Sequence, residues 1–298
     1  MTTDPARPPN ARIGLDLLRE DPPWPEVLQV EVTTRCNLKC VFCKNGALEV
    51  QSRGDVSVSL YRDVLEQGVG CWGRVNLWGT GEPLMHAGFF EMAELARDRG
   101  VGRVKVSTNG HLLSEGNVHR LLSSGVTEVR VALDAATPEE FRRVRIGGSF
   151  KKVVEGIGRL IEARARRGVA LRVVICSVVS TADGAGVAEV ESLARSLGAD
   201  AHEPMPNIWS EQLPGLDLAE PRARCSQQLR VFNMLSNGDV IPCCHTYLGE
   251  VTLGNARSQR VEEIWRGAPA RTARRAFLDG EFAFCARCNY GATLGGAR

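Results

Sequence analysis

The sequence predicts an α/β protein built on a mostly parallel sheet with helices outside, closed at its C-terminal end by a small cysteine-rich module. Three observations predict it. Strand-like and helix-like runs alternate from Val27 to Glu203, each candidate functional motif falls at the end of a strand, and the alternation stops after Pro204, where four cysteines gather. The strands read as Val27 to Thr33, Arg74 to Trp78, Arg103 to Ser107, Glu128 to Leu133, Ala170 to Val179 and a short one near Ala199 to Glu203. Helices between them cover Leu60 to Gln67, Gly88 to Arg99, Val118 to Ser123, Phe150 to Arg167 and Val187 to Leu197. Periodicity alone leaves the sheet either doubly wound or curled into a barrel, and in both the site gathers at the C-terminal ends of the strands.

Residues 1–24 are Pro-rich and weakly patterned and read as a leader; 25–205 carry the alternation; 206–298 begin with a Pro- and acid-rich linker. Two short strands then flank Asn237-Gly238, the strongest local hairpin signal, and short helices follow at Val261 to Trp265 and Arg271 to Leu278. So little apolar sequence gains from a metal staple.

Composition narrows the function. With 298 residues, 43% hydrophobic and 24% charged, the chain is of ordinary globular make-up. A formal charge of +2 gives no general pull toward nucleic acid or an anionic membrane, and basic runs such as Arg142, Arg143, Arg145, Lys151 and Lys152 read as solvated helix faces. The N-terminus lacks the apolar segment of a signal peptide, and Val169 to Val179 is too short to span a bilayer. Ten cysteines without an export signal point to metal ligation in a reducing compartment, the cytoplasm.

Cys36, Cys40 and Cys43 follow the first strand in a C-x3-C-x2-C spacing. Three thiolates fill three corners of a cubane cluster and leave one iron open, a pattern that suits neither a structural zinc nor a ferredoxin. Gly79-Thr80-Gly81-Glu82-Pro83 ends the second strand and Ser107-Thr108-Asn109-Gly110 the third. Along nearly its whole length the chain resembles the radical S-adenosylmethionine (radical SAM) enzymes, the two later segments being similar to that family's GGEP and TNG segments, with Thr80 standing where Gly is usual. The resemblance implies a partial (β/α)6 TIM-like barrel and a [4Fe-4S] cluster whose open iron chelates S-adenosylmethionine. It also implies Phe42 against adenine, and Gly79, Thr80, Gly81, Glu82, Ser107, Asn109 and Arg172 around the cofactor. Cys225, Cys243, Cys285 and Cys288 resemble the shortened SPASM, or twitch, module and would hold a second, closed [4Fe-4S] cluster; their count alone also permits a zinc ribbon.

Three cysteines remain. Cys71 reads as a buried inert thiol at a strand start, whereas Cys176, late in the fifth strand, and Cys244, next to a ligand, are candidate hydrogen donors. Glu31, Asp134 and Glu203 sit on inward faces and are candidate substrate contacts. Asp134 is also a candidate catalytic group, and His202 joins Glu203 at the end of the last strand. Compact chains of this kind resemble aminoglycoside- and aminocyclitol-tailoring enzymes, which implies hydrogen abstraction from a carbinol carbon of a small polar metabolite, an epimer or a ketone as product, and an external electron donor such as flavodoxin or ferredoxin. A radical peptide maturase and a non-enzymatic iron-sulfur or zinc module remain as alternatives.

Overall fold

In the computed structural model, residues 22–45, 52–179, 186–206, 225 and 227–288 are described. Most of the leader and nearly all of the linker lie outside them. Six parallel strands form the frame: β1 (Val27–Val30), β3 (Arg74–Leu77), β4 (Val104–Thr108), β5 (Glu128–Ala132), β7 (Arg172–Val179) and β8 (Ala201–Pro206). A two-residue strand β2 (Lys39–Cys40) lies within the cysteine loop. Helices α1 (Val58–Gln67), α2 (Phe89–Asp98), α3 (Glu115–Leu121), α4 (Pro138–Val144), α5 (Phe150–Arg167) and α6 (Val187–Ser196) provide the crossovers. The sheet is a TIM-like partial barrel that does not close.

The pleat sorts its residues cleanly. Leu28, Val30, Val75, Leu77, Val104, Val106, Val129, Val131, Val173 and Ile175 are buried in one core beneath the helices. Their neighbours Gln29, Asn76, Lys105, Ser107, Arg130 and Cys176 alternate onto the other face. A polar face on central parallel strands is the wall of a lumen rather than a second core. Start signals in the sequence set the helices: the side chains of Ser57, Ser114, Thr137 and Ser149 each accept from the backbone N–H three residues on.

Two features go beyond the sequence reading. Helix α4, with Thr137 as its cap and Pro138 at its first position, runs directly into β6 (Arg145–Ile146), which pairs antiparallel with β2. The C-terminal module also joins the main sheet. Helix α7 (Gln227–Arg230) leads into β9 (Val231–Met234), which pairs parallel with β1 from Val27↔Val231 to Val30↔Met234. Strand β10 (Asp239–Ile241) returns antiparallel through a turn in which Gly238 adopts φ +93°, and β11 (Gly254–Asn255) completes the order β11-β10-β9-β1-β3-β4-β5-β7-β8. Helices α8 (Val261–Trp265) and α9 (Ala268–Asp279) pack behind, the second longer at both ends than the pattern predicts. Cys71 is exposed in the turn before β3 rather than buried.

Candidate active site with two thiol clusters

Beyond β1 the chain turns through Thr33 and Thr34 into the cysteine loop. Gly81 lies beneath it: a Cβ there would stand 2.4 Å from the Thr33 carbonyl oxygen and 2.5 Å from that of Arg35. At Gly79 a Cβ would stand 2.8 Å from the Glu31 Cα. These glycines therefore serve close backbone packing against β1 and its loop, and not only an approach by ligand.

Glu82 is the fastener of the loop ends. Its buried carboxylate accepts from the Thr108 hydroxyl at 2.8 Å, the Asn109 backbone N–H at 2.7 Å and the Leu84 N–H at 3.1 Å. A carboxylate has about four acceptor sites, so one is left open. Burial raises its pKa against those three donors. Asn109 then reaches the cysteine loop, its amide donating to Asn37 Oδ1 at 2.8 Å and to the Cys36 sulfur at 3.9 Å.

The Cys40 sulfur receives a hydrogen bond from Arg145 at 3.6 Å. Arg145 also pairs with Asp134, both side chains being buried, and its guanidinium carbon lies 5.2 Å from the centre of the Phe42 ring. Burial pushes the Cys40 thiol up to about 11, helped by Cys43, Asp134 and Cys36, while Arg145 opposes it. Cys36 is also raised, first by burial, with Glu82 and Cys43 adding. Three sulfurs close enough to raise one another, served by a guanidinium and an amide, fit a cluster with one open corner: the donors offset its negative charge, and the lumen beneath is polar.

Several expected residues change role. Glu31 does not offer its carboxylate to substrate: it accepts from Arg53 at 2.9 and 2.8 Å, from Thr80 at 2.7 Å, and from the backbone N–H and hydroxyl of Ser236 at 3.1 Å each. A fully buried charge requires such partners, and the unusual Thr80 is explained as one of them. Asp134 is likewise taken, by Arg145 and by the Val178 N–H at 2.7 Å. Arg172 opens β7 and pairs with Glu128 at 3.0 Å. At about 3.3 Å per residue it lies roughly 20 Å from Val178, which is level with Asp134, so it belongs to the floor of the barrel and not to the cofactor site.

Glu203 pairs with Arg130 at 2.6 Å and remains part-exposed toward the lumen. Cys176 adjoins this pair and is pushed up to about 11 by burial, with Arg130 opposing. His202 turns to the other face, meeting Ser177 Oγ at 2.8 Å. Ser107 lies on the lumen face one turn of the pleat below Asn109. Sequence reasoning missed Arg145, which it placed on a solvated helix; a carboxylate ending a central strand at Asp134 was the available signal that a buried cation must come to meet it.

The second thiol set is differently lodged. Cys225, Cys243, Cys285 and Cys288 line one concavity together with Gln227, Gln228, Cys244, His245, Phe277 and Phe284. A tight turn, in which the Cys288 N–H donates to the Cys285 carbonyl at 3.3 Å, brings the last pair round. Burial, then the neighbouring Cys288, Cys225 and Cys285, pushes Cys243 up to about 12. Among the described residues no group of three or more His, Cys, Asp or Glu closes around a single ion. Four thiols around an aromatic-lined space fit a closed cluster. Cys244 stands in the same concavity while packing against Leu235, Ile241 and Tyr247, a small cluster separate from the main core.

Comparison with known proteins agrees with this layout. The profile of the Radical SAM superfamily matches residues 30–179, and that of SPASM, an iron-sulfur cluster-binding domain, matches residues 225–289. A probable GTP 3',8-cyclase of Methanococcus maripaludis (strain C5 / ATCC BAA-1333) is 32% identical over 138 residues, 45% of this chain and 45% of that protein, so the match spans less than half its length. The crystal structure of BtrN in complex with AdoMet and 2-DOIA is 18% identical, covers 93% of this chain and 97% of that one, and superimposes with a TM-score of 0.58. Native anSMEcpe with bound AdoMet and Cp18Cys peptide is 17% identical over 86% of this chain and 83% of that one, with a TM-score of 0.62. No helix among the described residues is long and apolar enough to cross a membrane.

Proposed function

We propose, from the premise that this chain belongs to the radical SAM superfamily, that it removes a hydrogen atom from a carbinol carbon of a small, hydroxyl-rich polar metabolite of the aminoglycoside kind and returns one from Cys244, giving the epimer. Its cofactors are S-adenosylmethionine and [4Fe-4S] clusters at the two thiol sets. Cys36, Cys40 and Cys43 would hold the open cluster and Cys225, Cys243, Cys285 and Cys288 the closed one. The chemistry that S-adenosylmethionine would supply there is a carbon-centred radical able to take the substrate hydrogen.

The observation that carries the reading is Cys244. It follows a cluster ligand, lines the same concavity and packs on Leu235, Ile241 and Tyr247. Asn233, Leu235 and Ile241 continue the register of Gln29 and Glu31 on the lumen side, whereas Phe232 and Met234 enter the main core. Burial holds the Cys244 thiol far above its ordinary pKa. A thiol kept protonated is a hydrogen-atom donor; a thiolate is not. Return of its hydrogen to the substrate radical leaves a sulfur radical, which regains one electron and one proton from outside to complete the cycle. Where no thiol reaches the substrate radical, loss of one electron to the oxidised cluster that Cys225, Cys243, Cys285 and Cys288 would hold, and of the hydroxyl proton to a base, would give the ketone instead.

The lumen supports a polar substrate, with Glu203, Arg130, Asn76 and Ser107 on its wall. The end-to-end likeness to BtrN, whose structure holds 2-DOIA, makes aminocyclitol-type compounds the first substrates to try. Incubation with candidate aminoglycosides in deuterated water under anaerobic, reducing conditions tests the proposal. Deuterium at one carbon without loss of hydrogens is expected from the wild type, and Cys244→Ala should yield ketone or stall after cofactor cleavage. Unchanged epimer from Cys244→Ala, with its loss from Cys176→Ala, would transfer the role to Cys176; unchanged epimer from both overturns the thiol-donor mechanism.

A further inference from the structure

We infer that a small cavity between α7, α8 and α9 is a binding site for one small monovalent anion such as chloride, held by Arg274 and Gln228. The proposed radical chemistry uses neither side chain, and the site stands whether the product is an epimer or a ketone.

Helix α9 turns Ala270, Ala273, Arg274 and Phe277 inward, the spacing of an apolar stripe with an arginine set in it. Arg274 is only 1% exposed. Its guanidinium lies over the Trp265 ring, 4.6 Å from the ring centre, and one terminal nitrogen, Nη2, donates to the Trp265 carbonyl. The other, Nη1, is buried without a partner. Arg274 lines a small cavity together with Gln228, Trp265, Val231, Leu253 and Ala270. Gln228 is buried too, and its Oε1 also has no partner. One cavity thus collects an unpaired donor on a charged group and an amide oxygen without a bond, in a wall that is otherwise largely apolar. Buried polar atoms left unpaired in this way call for an occupant.

Charge selects that occupant. Among the described residues no Asp or Glu lines the cavity, and Arg274 forms no ion pair with any of them. Burial, with Arg271 adding, pushes the guanidinium down to about 10, so it still carries its charge at neutral pH. A buried charge without a counter-charge is strongly unfavourable, and the face of one Trp ring offsets only part of it. A water molecule would satisfy Nη1 and leave the charge standing; an anion does both. The oxygen and nitrogen of a glutamine amide exchange places by a half-turn, which here forfeits no bond at Oε1 and presents the NH2 group to the anion. Gln228 also lines the four-thiol concavity. The anion therefore fastens α9 to α7, the helix that follows Cys225.

The test is thermal unfolding of the reconstituted full-length protein in potassium chloride against potassium gluconate, a much bulkier anion, at one fixed ionic strength. The wild type should gain about 2 °C for each tenfold rise in chloride above the dissociation constant. Gln228→Glu sets a carboxylate beside Arg274 and should lose the chloride dependence, because the chain then supplies the counter-charge itself. Arg274→Met keeps the length, removes the charge and should lose the dependence as well; if it does not fold, the comparison with Gln228→Glu decides. Crystals of the wild type soaked in bromide should give an anomalous peak at the Arg274 guanidinium. A wild type indifferent to chloride overturns the inference. A chloride dependence that survives in either variant overturns it too, as does a bromide-soaked crystal with no peak in this cavity.

Discussion

The two thiol sets are built from opposite materials. Around Cys36, Cys40 and Cys43 the neighbours are Arg145, Asp134, Asn109 and Glu82, each tied to another element by a hydrogen bond or ion pair. Around Cys225, Cys243, Cys285 and Cys288 they are Phe277, Phe284, His245, Cys244 and the uncharged amides Gln227 and Gln228. A site that must admit a zwitterionic cofactor needs polar groups already satisfied by the chain, so that little reorganises on binding. A closed cluster needs only exclusion of water and enough thiolates. The difference teaches that ligand count and surroundings agree: the three-thiol set is served by charged and amide side chains, and the described lining of the four-thiol set is uncharged and partly aromatic.

Breaking one thiol of each set tests this most severely. Cys40→Ala should halve the iron content and abolish 5′-deoxyadenosine formation. Cys285→Ala should also halve the iron but leave cofactor cleavage measurable, with substrate turnover lost. The C-terminal variant should lose more thermal stability, because a module of short strands and helices relies more on its staple. Equal loss of cofactor cleavage in both would remove the division of labour.

Arg145 sharpens the same contrast. Arg145→Met leaves Asp134 buried without its cation and should cost about 3–5 kcal/mol in chemical denaturation of the cluster-free protein. Among the described residues that line the concavity of the second thiol set there is no Asp, Glu, Lys or Arg. A loss below about 1 kcal/mol would mean that the pair does not hold the loop. Next in size comes Glu31→Gln, which keeps the shape but removes the charge facing Arg53; about 2–3 kcal/mol is expected. Since Ser236 donates twice to Glu31, the loss should also loosen the attachment of the C-terminal hairpin, visible as faster amide exchange in β9.

Much of this was legible in the sequence, for a physical reason. Strands β1, β3, β4, β5 and β7 are central, and central parallel strands must put apolar residues under the helices, so their runs stand out. The cysteine spacings are local and carry their chemistry with them. What stayed hidden depends on residues far apart in the chain: Glu31 and Ser236 are 205 positions apart, and nothing in either segment announces that β9 will pair with β1. Arg145 was hidden for another reason. It stands among exposed Arg142, Arg143, Lys151 and Lys152, and only the switch from α4 into β6 turns it inward. Helix α4 itself could have been read from Thr137-Pro138-Glu139-Glu140, a cap, a proline and an acidic first turn.

The smallest expected effect is a pH dependence that belongs to the loop site. His111 Nε2 accepts from the Ser149 N–H at 2.7 Å, so the ring is neutral with its proton on Nδ1, where it faces the Asn109 carbonyl at 3.2 Å. It thereby ties the segment that holds Cys36 to the N-terminal cap of α5. Burial lowers its pKa, with Lys152 and Arg145 adding to that and the Asn109 carbonyl opposing. A lowered histidine contributes stability that is complete above the unfolded value of about 6.5 and is lost as pH falls toward the folded value, at no more than about 1.4 kcal/mol per pH unit. His202, also lowered by burial, acts in the same direction. Thermal unfolding of the cluster-free wild type should therefore fall between pH 7.5 and 5.5. His111→Gln, whose amide can still accept from Ser149, should show a shallower fall over that window, with His202 left to account for the remainder. An unchanged slope would mean that the ring is not held neutral, and that the bond to Ser149 does not couple the loop site to α5.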